Sequence, residues 1–213
     1  MGSTIDQGSY RLQLRQDTHA HHQILNRHPL LKGLTKPSYP LTHYKVLLLA
    51  YSVLYRQIEE LIERFLISQH VDFDYSERRK SAWLVKGLAY FHDHNIGLDA
   101  TFNSFVASTL AIPNLGAVSE LAGLLYVIEG STLGGQHISR ALADYHGLSS
   151  ETGASFFNGY GQHTLMRWES FLQFFDSVIQ DNEDFLSAKD VACRVFQTFQ
   201  SALDYGVPFL PES

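Results

Sequence analysis

The sequence contains a single cysteine, Cys193, and neither a long hydrophobic run nor a long basic one. One cysteine excludes an internal disulfide and a Cys-x-x-Cys motif for zinc or for covalent cofactor attachment. No apolar run reaches the about 18 residues that indicate a membrane span, and the N-terminus lacks the regions of a signal peptide. Because 16 Lys and Arg stand against 22 Asp and Glu, a nucleic-acid partner is disfavoured. We therefore expect a cytoplasmic protein that binds neither nucleic acid nor membrane.

Strict alternation of apolar and polar residues with hairpin turns is also missing, so we expect no β-sheet. Apolar residues instead recur every three or four positions, which is the period of an amphipathic helix. This spacing predicts helices over residues 10–26, 47–65, 77–94, 99–111, 157–178 and 185–202, and a long helix from 117 through the following glycines. We predict one all-α domain over residues 10–205, a flexible N-terminus over 1–9 and a C-terminal tail over 206–213.

Two metal-binding patterns of helical proteins do not occur in the sequence. No glutamate is followed three residues later by a histidine, which is the pair that di-iron bundles direct inward, and no HExxH zinc motif is found. Eleven histidines are nevertheless scattered along the chain. Most of them require no special role, and His92 and His94 are expected to be solvated near a helix end.

His22 is the histidine whose position is most informative. It follows Thr18 by four residues and precedes Leu25 by three, which places it on the apolar stripe of the N-terminal helix. An imidazole on such a face is either a hydrogen-bonded core side chain or a ligand, and histidine is a common ligand of haem (heme) iron. Arg15 and His19 lie two turns and one turn earlier on the same side, so cationic groups would flank an anionic ligand held by His22.

The stretch IEGSTLGGQHI places Gly130, Gly134 and Gly135 within six positions of each other in the interior of a strong helix. Each such glycine costs about 1 kcal/mol relative to alanine, so the cluster requires a reason. Bare backbone would let the helix kink and approach a flat ligand, or it would let another helix pack closely. The spacing does not choose between these two explanations. A porphyrin needs a wall on each face, and one histidine helix with one glycine-rich helix would provide both.

Taken together, these stretches resemble the haem oxygenases, in particular the bacterial type often found beside bacteriophytochromes. The resemblance is carried by the pattern L-R-x-x-T-x-x-x-H-x-x-L over residues 14–25, by LYVIEGSTLGG over 125–135 and by FFNGYGQHTLMRWESF over 156–171. It implies a single-domain helical fold that holds haem between an N-terminal proximal helix and a kinked, glycine-rich distal helix.

The resemblance also implies a reaction and the residues of its site. Haem b would be both substrate and cofactor, and O₂ with external electrons would convert it to biliverdin, Fe²⁺ and CO. A ferredoxin or flavin reductase would supply the electrons, and a bacteriophytochrome could accept the biliverdin. The residues that the resemblance assigns are His22 as iron ligand, Gly130, Ser131, Gly134 and Gly135 as the distal wall, and Arg15, Thr18, His19, Tyr126, Tyr160 and Arg167 as further haem contacts.

Two positions depart from a common pattern of the family. Ser131 stands where many members have an aspartate that anchors water, and Asn26 stands where many have a carboxylate that accepts a hydrogen bond from the ligand histidine. We still expect activity, with an imidazole closer to neutral and a weaker Fe–His bond. The alternatives are a haem carrier or sensor of the same fold that does not degrade haem, and a relative that binds another small molecule.

Overall fold

The computed structural model describes residues 7–93 and 110–210, and all regular structure within these ranges is helical. The α-helices are α1 Gln7–Asn26, α2 Leu41–Gln69, α3 Ser81–Asp93, α4 Val118–His146, α5 Ser155–Asn158, α6 Thr164–Val178 and α7 Asn182–Gly206, with 3₁₀ turns at Ser76–Arg78, Gly161–His163 and Val207–Phe209. The predicted all-α fold is confirmed. Among the described residues, no helix has the length and apolar character needed to cross a membrane.

Several predicted helix boundaries differ from the observed ones. The helix predicted over 157–178 is interrupted, because Gly159 and Gly161 have φ values of +53° and +56° and this backbone conformation cannot continue a right-handed helix. The helix predicted over 77–94 begins only at Ser81. α1 begins at Gln7, three residues before the predicted start of the domain. Most of the helix predicted over 99–111 lies outside the described residues.

The central helices α2, α4 and α7 form the core because each has an apolar face. Side chains on these faces are fully buried, and they include Leu47, Leu54 and Ile58 of α2, Leu121, Leu125 and Ile128 of α4, and Ala188, Val191 and Val195 of α7. Gly123 lets α4 lie directly against α7, since a Cβ at this position would overlap the carbonyl group of Ala188. The close crossing fixes α4 at the centre of the molecule.

α4 is one continuous helix from Val118 to His146, and the three clustered glycines lie inside it. The Glu120 carboxylate accepts a hydrogen bond from the N–H of Ala117, which satisfies a free donor at the start of the helix. Gly147 ends the helix with φ +65°, a conformation that glycine adopts readily at a helix C-terminus. The helix therefore continues through its glycines and ends at a residue suited to end it.

We expect Gly123→Ala to lower the free energy of unfolding by about 1–3 kcal/mol, because the added methyl would force α4 and α7 apart. Gly134→Ala is the matched control, since a Cβ at Gly134 meets no atom within 4 Å. That control should raise the free energy of unfolding by up to about 1 kcal/mol through helix propensity. Chemical denaturation measures both values, and a Gly123→Ala protein as stable as the parent would contradict the close crossing.

Candidate functional site

A cavity of about 660 Å³ is lined by residues from all seven α-helices, α1 to α7. This volume is within the range of sites that hold small molecules and cofactors. Much of its wall is aromatic, with Tyr51 and Tyr55 of α2, Trp83 of α3, Tyr126 of α4, Phe156 and Phe157 of α5, Trp168 of α6, and Phe196 and Phe199 of α7. Such a wall favours a large, flat and mainly apolar ligand.

One wall is formed by α1, which directs Arg15, Thr18, His19 and His22 into the cavity. Arg15, His19 and His22 are spaced four and three positions apart and Thr18 is next to His19, so all four share one side of the helix. The Thr18 hydroxyl is buried and donates a hydrogen bond to the Leu14 carbonyl oxygen at 2.7 Å. His22 is exposed at the wall, which corrects the expectation that it lies on the buried stripe. The stripe faces the cavity at this point rather than another helix.

The surroundings of His22 determine which of its nitrogens is free. The Asn26 side-chain amide lies 3.3 Å from Nδ1 of His22, so Nε2 is the nitrogen left for a ligand. Partial burial, with a smaller contribution from the nearby His19, lowers the pKa of His22 from its ordinary value of 6.5. A lowered pKa keeps the imidazole neutral at pH 7, and the neutral form is the one that binds a metal.

His19 differs from His22 in which nitrogen is already used. Its Nε2 lies 2.8 Å from the side-chain amide nitrogen of Gln23. The exposed nitrogen on a histidine is usually Nε2, at the far end of the ring, and on His19 this atom is engaged. The geometry therefore favours His22 over His19 as the ligand.

The three clustered glycines have different surroundings, although all of them line the cavity. A Cβ at Gly135 would come within 2.7 Å of the Phe157 carbonyl oxygen, whereas a Cβ at Gly130 would lie 3.6 Å from the Trp168 ring. A Cβ at Gly134 would meet nothing within 4 Å. Gly135 is thus required for the close approach of α5, while Gly134 leaves space beside bare backbone. Both explanations that the sequence left open apply, each to a different glycine.

Gln136 strengthens the contact between α4 and α5 that Gly135 permits. Its side-chain amide donates hydrogen bonds to the Asn158 carbonyl oxygen at 2.9 Å and to the Thr164 hydroxyl at 3.2 Å. These bonds hold the end of α5 and the start of α6 against the glycine segment of α4, residues 130–135. The aromatic side chains of α5 are therefore kept at the cavity wall.

Two hydroxyl groups lie next to the glycines. Ser131 Oγ donates to the Ile128 carbonyl oxygen at 2.8 Å and lies 3.4 Å from the Tyr55 hydroxyl. Burial raises the pKa of Tyr55 well above its ordinary value, and the hydrogen bond with Ser131 opposes this rise only in part. Both groups therefore remain protonated at neutral pH, and each can donate or accept a hydrogen bond.

Arg15, Thr18 and Tyr126 form a polar corner where α1 approaches α4. Burial raises the pKa of Tyr126, while a hydrogen bond with Thr18 and the charge of Arg15 act in the opposite direction. The Arg15 side chain is exposed at this corner. A guanidinium beside a phenol hydroxyl is suited to a carboxylate, which accepts charge-assisted hydrogen bonds.

Tyr160 and Arg167 are not among the residues that line the cavity. The Tyr160 hydroxyl instead donates to the Glu129 carboxylate, 3.0 Å from Oε2. The Arg167 guanidinium lies over the Tyr160 ring, 5.8 Å from its centroid, and 3.6 Å from the Glu77 carboxylate. The structure thus brings the other predicted site residues together, but it directs Tyr160 toward Glu129 and Arg167 toward Glu77.

Sequence reasoning missed Lys80, Tyr55 and Trp83, which also line the cavity. Lys80 belongs to the charged run ERRK, which would ordinarily be solvated, yet it is 1% exposed. The signal that could have found it is Glu129, a lone carboxylate in the apolar stretch LLYVIEG. A charge within such a stretch requires a buried partner.

A family model described as "Heme oxygenase" matches residues 9–204. No curated protein gives a significant match. The haem oxygenase of Leptospira interrogans is similar in fold, with 20% identity, a TM-score of 0.68, and coverage of 92% of this chain and 98% of that chain.

Two further solved structures share this fold. The NO- and CO-bound haem oxygenase of Neisseria meningitidis has 16% identity and a TM-score of 0.71, and the match covers 96% of this chain and 94% of that one. The haem complex of a haem oxygenase from the cyanobacterium Synechocystis has 18% identity and a TM-score of 0.66, with coverage of 92% and 90%. Because the family model spans nearly the whole described domain, the chain belongs to the haem oxygenase family.

Proposed function

We propose that this protein cleaves haem to biliverdin, Fe²⁺ and CO, using O₂ and electrons from an external donor. Family membership supports haem binding and the use of O₂. The observation that carries the proposal for this chain is that one cavity has His22 of α1 and the glycine segment of α4 in its walls. An iron ligand and a bare backbone surface are the two features that the reaction requires of the protein.

The residues present fit a haem molecule. The aromatic wall suits the porphyrin ring, Nε2 of His22 is left free to bind iron, and the corner of Arg15, Thr18 and Tyr126 suits a propionate. His19 adds a further polar group on the same side. When bound, haem supplies the iron at which O₂ is activated. The protein's contribution is to bind and orient the ring and to control polarity on its distal side.

The distal side of the proposed site combines open space with hydroxyl groups. Gly134 leaves room beside the backbone, and Gly130 is next to the Trp168 ring rather than a polar group. Ser131 and Tyr55 offer hydroxyls within 3.4 Å of each other, so they can hold water and pass a proton along the wall. We infer that this serine–tyrosine pair provides the polar anchor for which many relatives use an aspartate.

The partners of this site are proposed from the family rather than from the geometry. We expect a ferredoxin or flavin reductase to donate electrons, and a bacteriophytochrome to be one acceptor of the biliverdin. The cytoplasmic location expected from the sequence also stays a prediction. Tyr160 and Arg167 are left out of the proposed haem contacts, because neither lines the cavity.

We expect the purified protein to bind one equivalent of haemin with a shifted Soret band. Addition of ascorbate or reduced ferredoxin in air should then abolish that band and produce the broad red absorption of biliverdin, which chromatography of the product can verify. A Soret band that shifts and then stays would indicate a haem carrier or sensor instead. No shift on mixing would contradict haem binding altogether.

His22→Ala should remove the axial ligand, so the ferrous complex should lose its Fe–His stretching band and turnover should fall by at least about 100-fold. His19→Ala is the matched control on the same helix and the same cavity wall. The control should keep the Fe–His band, because Nε2 of His19 is paired with Gln23. The ligand assignment would be wrong if His22→Ala kept the band and His19→Ala lost it.

Asn26→Asp should raise the Fe–His stretching frequency. In this structure the Asn26 amide nitrogen faces Nδ1 of His22, so the amide has to turn its oxygen toward Nδ1 once Nε2 binds iron and Nδ1 carries the proton. A carboxylate accepts that hydrogen bond without turning, and more strongly than an amide oxygen. Gln23→Glu is the control, because it adds the same charge one turn earlier, beside His19. Resonance Raman spectra measure both variants. Equal frequencies for Asn26→Asp and the parent would rule out control of the ligand through position 26.

A further inference from the structure

Glu129 is a buried carboxylate that directly precedes the glycine segment of α4. The side chain is only 1% exposed. Oε1 accepts a hydrogen bond from Lys80 Nζ at 2.6 Å, and Oε2 accepts one from Arg78 Nη1 at 2.7 Å. The Tyr160 hydroxyl donates to the same carboxylate at 3.0 Å. Because both cations are themselves buried, these charges depend on one another for compensation.

The partners of Glu129 come from separate parts of the chain. Arg78 and Lys80 belong to the segment between α2 and α3, whereas Tyr160 belongs to the connection between α5 and α6. Arg78 also donates to the Arg167 carbonyl oxygen at 3.2 Å and lies 3.3 Å from the Ser170 hydroxyl, both in α6. The Glu129 carboxylate therefore contacts two surrounding segments directly, and Arg78 links it to a third, α6.

Lys80 lines the cavity, but its ammonium group is not available to a ligand. Nζ donates to Glu129, to the Arg78 carbonyl oxygen at 2.9 Å and to the Tyr160 hydroxyl at 3.2 Å. All three donors of the ammonium are thus occupied. Burial lowers the pKa of Lys80, and the charge of Glu129 opposes that change. The lysine therefore serves the protein's internal cluster rather than the contents of the cavity.

We propose that Glu129 is a positioning residue that fixes the place of the glycine segment 130–135 relative to the rest of the cavity. Gly130 and Gly134 offer no side chain by which neighbouring helices could hold this segment. The ionic cluster one residue earlier attaches the start of this segment, whereas Gly135 and Gln136 attach its end. The inference rests on the proposed role of this segment as the distal wall.

The test is hydrogen–deuterium exchange of the haem-free protein, so it does not depend on haem binding. In Glu129→Gln the carboxylate charge is lost at constant size, which leaves two buried cations with reduced compensation. The α7 amides of residues 191–199 report any general loosening of the protein. Relative to the parent, the exchange rate of the amides of residues 130–135 should increase about tenfold more than the exchange rate of these α7 amides. Equal increases at both places would overturn the proposal.

Glu59→Gln is the matched control, because Glu59 is also a buried carboxylate, at 2% exposed. Its hydrogen bonds hold α2 to the start of α3, where it accepts from the N–H groups of Lys80 and Ser81. This variant should loosen the protein without a selective effect on residues 130–135. The increase in exchange rate at residues 130–135 should therefore be within about twofold of the increase at the α7 amides. A selective increase as large as that of Glu129→Gln would also overturn the proposal.

Tyr160→Phe is the milder variant, since it removes one hydroxyl from Glu129 and keeps both ion pairs. It should increase exchange at residues 130–135 by a smaller factor than Glu129→Gln, with little change in α7. In the haem-loaded protein, Glu129→Gln should shift the C–O stretching frequency of the CO complex and leave the Fe–His frequency unchanged. An unchanged C–O frequency together with unchanged exchange would show that Glu129 does not position the wall.

Discussion

The site depends on a single constraint: α4 must present bare backbone to the cavity and still remain a helix. The three clustered glycines in its interior cost about 3 kcal/mol in helix propensity, and they remove side chains that would otherwise hold the helix. Contacts on its other sides offset this cost. Gly123 packs against Ala188 of α7, Gly135 packs against the Phe157 carbonyl, and the charge of Glu129 joins α4 to its neighbours.

The glycines of α4 therefore differ in what they contribute to the cavity. Gly135 brings α5 close enough for its aromatic side chains to form the cavity wall, whereas Gly134 leaves open space beside bare backbone. On the opposing α1, the hydrogen-bonding partners of His19 and His22 differ, and only His22 keeps Nε2 free. Residues that look equivalent in the sequence, such as His19 and His22 or Gly134 and Gly135, therefore differ in their contacts and in what they contribute to the site.

Much of the fold could be predicted from the sequence, because helical periodicity is a local property. The interruption at Gly159 and Gly161 could not, since either glycine could also have stayed inside a helix and only the tertiary packing decides its φ value. Arg15, His22 and Gly134 were found through spacing and resemblance. Lys80 and Glu129 were missed, because their pairing joins segments 49 residues apart and charged runs are ordinarily exposed.

A crystal structure of the haemin complex would show which residue binds the iron and which surface faces the other side of the ring. We expect Nε2 of His22 to be bonded to the iron and the backbone of Gly134 to lie against the opposite face of the ring. One propionate should lie at the corner formed by Arg15 and Tyr126. If His19 or another residue bound the iron, or if the ring lay outside the cavity between α1 and α4, the proposed haem site would be wrong.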